Sequence, residues 1–242
     1  MKYSGMTFCH NCIEGGYPIR EAVRAVKPYV DEIVAVDCQS TDNTRAVLKE
    51  LGCRIVDGEW GTDAEGTLGK AHALGQEACR NETIVHFEAD EVWDAELIRT
   101  LTNAWASNAV VARIQVEQNF QRIRWAPHYV HRIFERGKAT KDPARGHTTK
   151  EHKSAVPYSP NCGLIWDCSY VFRDNYRTRM EQNAKLWGES PQYLRRTPEH
   201  FLEKPFAEEL EKFLAEPQWT WTETPLNIPA ILRPLVGQTR YF

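Results

Sequence analysis

Thr83-Ile84-Val85-His86-Phe87-Glu88-Ala89-Asp90-Glu91 joins a short β-branched and aromatic run to three carboxylates within four residues. The run has the length and character of a strand, and the acids fall where that strand would end. Carboxylates crowded at one strand end raise each other's pKa unless something positive sits among them, so a divalent cation is their natural partner. A solvated acidic loop tip is the plain alternative. The rest of the chain decides between the two.

Working back toward the N-terminus, Met6-Thr7-Phe8-Cys9 reads as a strand. Pro18 can open a helix in which Ile19, Ala22, Val23 and Val26 share a face until Pro28 stops it. Glu32-Ile33-Val34-Ala35-Val36 is a second strand ending in Asp37. Ser40, Thr41 or Asp42 can cap a helix that closes on Gly52 as its C′ residue. Arg54-Ile55-Val56 is a third strand, and Leu68, Ala71, Gly75 and Ala78 mark the helix leading to Thr83. Beyond the acids, Asp94 can cap a helix carrying Leu97, Ile98, Leu101 and Trp105. Strands alternating with helices predict an α/β fold with a mostly parallel sheet and helices on both faces. Ligands of such sheets bind at the carboxyl ends of strands, where Asn11, Asp37, Glu88 and Asp90 all fall.

The second half reads as mixed. Val110 to Val116 alternates, His128 to Phe134 and Leu164 to Phe172 look like strands, and Tyr176 to Trp187 looks helical. Glu135 to Pro160 is polar, basic and rich in Gly and Pro, which suggests a long functional loop. After Thr197 six prolines thin the pattern, leaving a helix over Phe206 to Leu214 and a tail in which Trp219 and Trp221 anchor to the core. The expected organisation is one domain over 1–196, divided into an alternating α/β half (1–112) and a mixed half (113–196). A C-terminal helix and tail (197–242) would pack on it.

With 242 residues, 42% of them hydrophobic, the chain can bury a sizeable core. No run approaches eighteen apolar residues and no signal-peptide core opens the sequence, so the expectation is a cytoplasmic protein without a transmembrane segment. Seven scattered cysteines do not form a disulfide framework. The net charge of −3 hides an asymmetry: residues 1–112 hold 10 Lys+Arg against 18 Asp+Glu, and residues 113–196 hold 16 against 8. An acidic half beside a basic one suggests a cation at the first and an anionic partner at the second. Cys9-His10-Asn11-Cys12 has C-x-x-C spacing but no second pair to complete a zinc site. Ala64 to Lys70 misses the P-loop pattern at its first glycine and at the Ser/Thr after the lysine.

Val36-Asp37-Cys38-Gln39-Ser40-Thr41-Asp42-Asn43-Thr44, followed about fifty residues on by Glu88-Ala89-Asp90-Glu91, resembles the family 2 glycosyltransferases of the GT-A fold. Thr7 to Asn11 with Glu14 resembles the family's first strand, and Tyr29 to Val34 its lead into the second. His128 to Lys138 with Gly146-His147 is similar to a subgroup with an Asp-Ala-Asp-Glu motif that includes lipopolysaccharide-core glucosyltransferases. Glu88 stands where the family usually has Asp, Ala73 where it often has Asn, and Ser169 where the subgroup often has His.

The resemblance implies an inverting, metal-dependent glycosyltransferase with a GT-A (Rossmann-like) sheet. Asn11, Glu14, Asp37, Lys70, Glu88 and Arg132 would bind the nucleoside-diphosphate sugar, a UDP-sugar by preference. Asp90, Glu88 and His147 would hold Mn²⁺ or Mg²⁺. Glu151 or Asp142 would serve as the base that deprotonates the acceptor hydroxyl. The basic series Arg122, Arg124, Arg132, Arg136, Lys138, Lys141, Arg145, Lys150 and Lys153 suggests an anionic acceptor, either an acidic surface glycan or a hydroxylated base in viral DNA. A non-catalytic nucleotide-sugar or glycan-binding module, and a nucleotidyltransferase, are the readings from other classes. The oligomeric state is not legible.

Overall fold

The computed structural model describes residues 2–61, 64–104, 109–117, 122–142, 146–149, 154–155, 165–175, 178–179, 220–223, 228–238 and 240–241. Its first half follows the expected alternation: β1 (Tyr3–Cys9), α1 (Ile19–Val26), β2 (Glu32–Cys38), α2 (Thr44–Glu50), β3 (Arg54–Gly58), α3 (Ala64–Ala78) and β4 (Thr83–His86). β1 lies between β2 and β4 and pairs parallel with both; β2 also pairs parallel with β3.

The chain then leaves the sheet at Phe87 and re-enters at its far edge as β5 (Glu91–Trp93), followed by α4 (Ala95–Ala104). The strand expected to run up to the acids thus ends at His86, and Glu91 belongs to a strand of its own. β6 (Ala109–Glu117), β7 (Arg122–Glu135) and β11 (Ile165–Tyr170) complete a sheet of order β3-β2-β1-β4-β7-β6-β11-β5. β7 is antiparallel to both β4 and β6, β11 is parallel to β6, and β5 is antiparallel to β11. The fold is α/β, parallel in its first half and mixed in its second.

The expected long loop after Glu135 contains structure. β8 (Ala139–Asp142) and β9 (Gly146–Thr149) form a hairpin, and β10 (Ser154–Ala155) adds to β6. β12 (Thr220–Glu223) pairs with β7, so the Trp219-Thr220-Trp221 stretch is partly a strand. The helix expected over Phe206 to Leu214, and most of that over Tyr176 to Trp187, lie outside the described residues.

Strand alternation sorts the core onto two faces. From β2, Ile33 and Ala35 join α1, α2 and α4 in the larger apolar cluster, whereas Val34, Val36 and Cys38 point to the side of α3. Helices therefore cover both faces. Val34 and Val36 are fully buried, each contributing about 1.5–3 kcal/mol by removal from water. α2 ends as expected: Gly52 takes φ +73°, its N–H bonds to Lys49 O, and Cys53 N–H bonds to Leu48 O. Leu232, Leu235 and Tyr241 of the C-terminal tail enter the larger cluster. No helix among the described residues is long and apolar enough to cross a membrane.

Candidate functional site

The carboxyl ends of β1, β2 and β4 meet at one edge. Among the described residues only Asn11 (φ 45°) and Gln39 (φ 58°) are non-glycine residues in the left-handed region, and they form the first turns after β1 and β2. Strain of this kind concentrates at binding and catalytic sites. The two turns are laced together. Asn11 Oδ1 accepts from Thr41 N at 2.7 Å, Asn11 N–H donates to Ser40 Oγ at 3.0 Å, and Glu14 N–H donates to Asp42 Oδ2 at 2.9 Å. Cys12 N–H donates to Thr44 Oγ1 at 2.7 Å.

Asp37, only 3% exposed, accepts from Ser40 N at 3.2 Å and from Arg45 Nη1 at 3.0 Å. Arg45 also reaches Asp57 at 2.6 Å, so a half-exposed guanidinium bridges the ends of β2 and β3. Beside them the His10 and Trp60 rings stack at 4.0 Å with 7° between planes, and His10 Nδ1 lies 2.6 Å from Cys38 O.

The acidic turn is neutralised from within. Glu91, fully buried, receives Arg132 through two bonds, Nε to Oε2 at 2.8 Å and Nη2 to Oε1 at 2.5 Å. The same guanidinium lies 3.4 Å from Oε1 of Glu88, whose side chain is 26% exposed. Asp90 accepts from Arg179 Nη2 at 2.6 Å, and Arg179 also covers the Tyr17 ring at 4.2 Å. The positive charge that three crowded acids require is therefore supplied by two arginines, one from β7 and one from beyond β11.

Lys70 is exposed on α3. Asp142 and His147 lie in the β8–β9 hairpin, where Asp142 is opposite Gly146 and His147 opposite Lys141. Glu151 falls outside the described residues. Of the basic series, Arg132 is committed to Glu91 and Glu88, and Arg136 to Glu82 and to Cys79 O. Arg145, Lys150 and Lys153 lie outside the described residues. Arg45, Tyr17 and Arg179 were not singled out from sequence; only the excess of arginine after residue 112 hinted at the last.

Glu88 and Asp90 offer hard oxygen donors on one turn. Among the described residues no three His, Cys, Asp or Glu side chains converge as a metal cage. Mg²⁺ and its like are held by one or two carboxylates while waters and substrate phosphates fill the remaining positions, so this pair fits such an ion. The six described cysteines are free thiols. A side-chain hydrogen bond with Cys12 and then burial push the Cys9 thiol well up, and burial lifts Cys38 to about 12. Neither is the low-pKa thiol that redox or metal chemistry uses.

A strained, cross-linked edge at the carboxyl ends of an open α/β sheet, with an acidic turn beside it, is the place where such sheets bind ligands. The pattern of glycosyl transferase family 2 matches residues 8–174, more than half of the chain, and the protein belongs to that family. An uncharacterized glycosyltransferase of Rickettsia felis is 32% identical over 90 residues, covering 37% of this chain and 30% of the relative. One from Rickettsia conorii is 30% identical over 90 residues with the same coverage. The chain thus spans about a third of the length of these curated relatives. Glucosyl-3-phosphoglycerate synthase of Mycobacterium tuberculosis, solved with Mn²⁺, UDP and glucosyl-3-phosphoglycerate, is 18% identical over 47% of this chain and 44% of that one. Its TM-score is 0.35.

Proposed function

We propose that the protein transfers a sugar, with inversion, from a nucleoside-diphosphate sugar, UDP-linked by preference, to a hydroxyl of an anionic acceptor. The observation that supports this most is the lacing of Asn11 to Ser40, Thr41 and Asp42 beside the buried Asp37, at the strand ends where the family's donor would bind. Asp37 and the 39–42 turn take the nucleoside, with Asn11 and Glu14 fixing the loop opposite. Glu88 and Asp90 would hold Mn²⁺ or Mg²⁺, joined by His147 in the reading from resemblance; the ion would act as a Lewis acid on the diphosphate leaving group. Lys70 adds positive charge toward the same oxygens. Arg132 keeps the acidic turn in shape through Glu91 and touches Glu88.

Glu151, or Asp142 in its place, accepts the proton of the attacking hydroxyl. Among the cations that would face the acceptor, Lys138 is exposed at the end of β7, whereas Arg132 and Arg136 are already engaged. The preferred acceptor is an acidic glycan of the lipopolysaccharide kind, with DNA bearing hydroxylated bases second.

The decisive experiment is a panel of nucleotide sugars assayed for slow hydrolysis with Mn²⁺ and with EDTA. Metal-dependent release of one nucleoside diphosphate is expected, and no release from any donor would sink the enzyme reading in favour of a binding module. Binding to DNA between about 50 and 200 mM salt separates the acceptors. A loss of about a thousandfold marks a nucleic acid, and no binding at low salt leaves the glycan.

A further inference from the structure

Arg179 sits between the two halves of the site. It is 6% exposed, its Nη2 is 2.6 Å from Asp90 Oδ2, and its Cζ is 4.2 Å from the centre of the Tyr17 ring. Tyr17 closes the loop that carries Asn11, its N–H returning to Cys12 O at 2.8 Å. One guanidinium thus touches both the loop after β1 and the turn after β4. Arg132 lies on Glu91 instead, through two bonds deep in the sheet.

We infer that Arg179 is a donor-binding residue: it holds Asp90 in the absence of metal and turns to the donor's diphosphate when Asp90 coordinates a cation. This rests on the donor reading given above. Coordination and the ion pair compete for the same carboxylate, so an ion at Asp90 displaces the guanidinium. A displaced guanidinium in so buried a place is costly unless another anion meets it, and planar guanidinium groups suit phosphate oxygens. The Tyr17 face retains the cation during the exchange. Arg179 then keeps Asp90 from standing as an uncompensated buried charge before substrate arrives.

The test uses UDP and Mn²⁺ as probes on the full chain, apart and together. In calorimetry with saturating Mn²⁺, Arg179→Gln is expected to weaken UDP binding by about tenfold or more, the loss of one charge-assisted contact. Without metal, Asp90→Asn is expected to strengthen UDP binding, because Arg179 is no longer held back. Mn²⁺ alone, followed by its paramagnetic resonance signal, should bind Arg179→Gln more tightly than wild type. Equal UDP and Mn²⁺ affinities in wild type and a folded Arg179→Gln overturn the assignment and leave Arg179 a structural partner of Asp90. Should Arg179→Gln not fold, an Asp90→Asn protein whose metal-free UDP affinity does not rise overturns it equally. Wild-type protein that binds no UDP with or without metal sinks the donor reading itself, and this inference with it.

Discussion

Asp90 and Glu91 are adjacent, and each meets an arginine, but the two pairs differ in burial and in geometry. Glu91 is fully buried in β5 and takes the Arg132 fork through both oxygens. Asp90 sits in the preceding turn at 8% exposure and accepts from Nη2 of Arg179, whose guanidinium lies over an aromatic ring. The first pair ties the edge strand β5 to the central strand β7, so its geometry is closed. The second joins a turn to a loop. A one-residue step along the chain, from turn to strand, separates an ion pair inside the sheet from the one to which a donor role is assigned above.

The comparison can be broken most severely at the closed pair. Glu91→Leu alone leaves a buried guanidinium without its carboxylate and should cost about 3–5 kcal/mol. For a chain of this size that is a fall of about 6–20 °C in Tm. The double variant Glu91→Leu/Arg132→Met should recover most of the loss in thermal unfolding. A double variant no more stable than the single would place the stability elsewhere than in the pair.

Asp90→Ala is expected to reverse the balance. Donor turnover with Mn²⁺ should fall by about a hundredfold or more, the scale of losing an electrostatic stabiliser, while Tm falls less than in Glu91→Leu. Turnover close to wild type in EDTA would refute metal assistance. Asp37→Ala should then raise the donor KM about tenfold with kcat nearly unchanged, as loss of a uniform binding contact does. An unaltered KM would remove Asp37 from the nucleoside site.

The smallest effect comes from a carboxyl buried against Tyr241. Glu21 is held above the ordinary carboxylate range by burial, against the opposing hydrogen bond from Tyr241. As pH rises from about 4, the unfolded chain ionises this group first, so the folded state loses stability until its own carboxyl ionises. Wild type should therefore lose Tm relative to Glu21→Gln between pH 4 and 7. A constant difference would mean that Glu21 does not titrate anomalously.

The parallel half was legible because its periods are local: Ile33 to Val36 alternates within one strand, and Ile19 to Val26 repeats within one helix. β5 was not, because three residues beginning with an acid show no period. Its burial comes from pairing with Ile165 to Asp167, far along the chain. The strand-end positions of Asn11, Asp37, Glu88 and Asp90 could be read from the same alternation. Their partners could not: Arg132 lies 41 positions from Glu91, and Arg179 lies 89 from Asp90. Crowded acids do reveal a need for positive charge, but not whether the chain supplies it.

The C-terminal tail gives the first loop a dependence on time. Asn175 donates to the carbonyls of Ile13 and Glu14 and packs on Gly16, where φ is +70° and a Cβ would fall 2.5 Å from that of Asn175. Tyr241 in turn donates its N–H to Asn175 and its hydroxyl to Glu21. Synthesis runs from the N-terminus, and early segments fold first. On a ribosome, β1 through β4 can assemble while the loop between Asn11 and Tyr17 still lacks its last fastening, which arrives only with Tyr241. Limited proteolysis of nascent chains stalled before that residue should cut this loop readily, whereas chains released beyond it should resist.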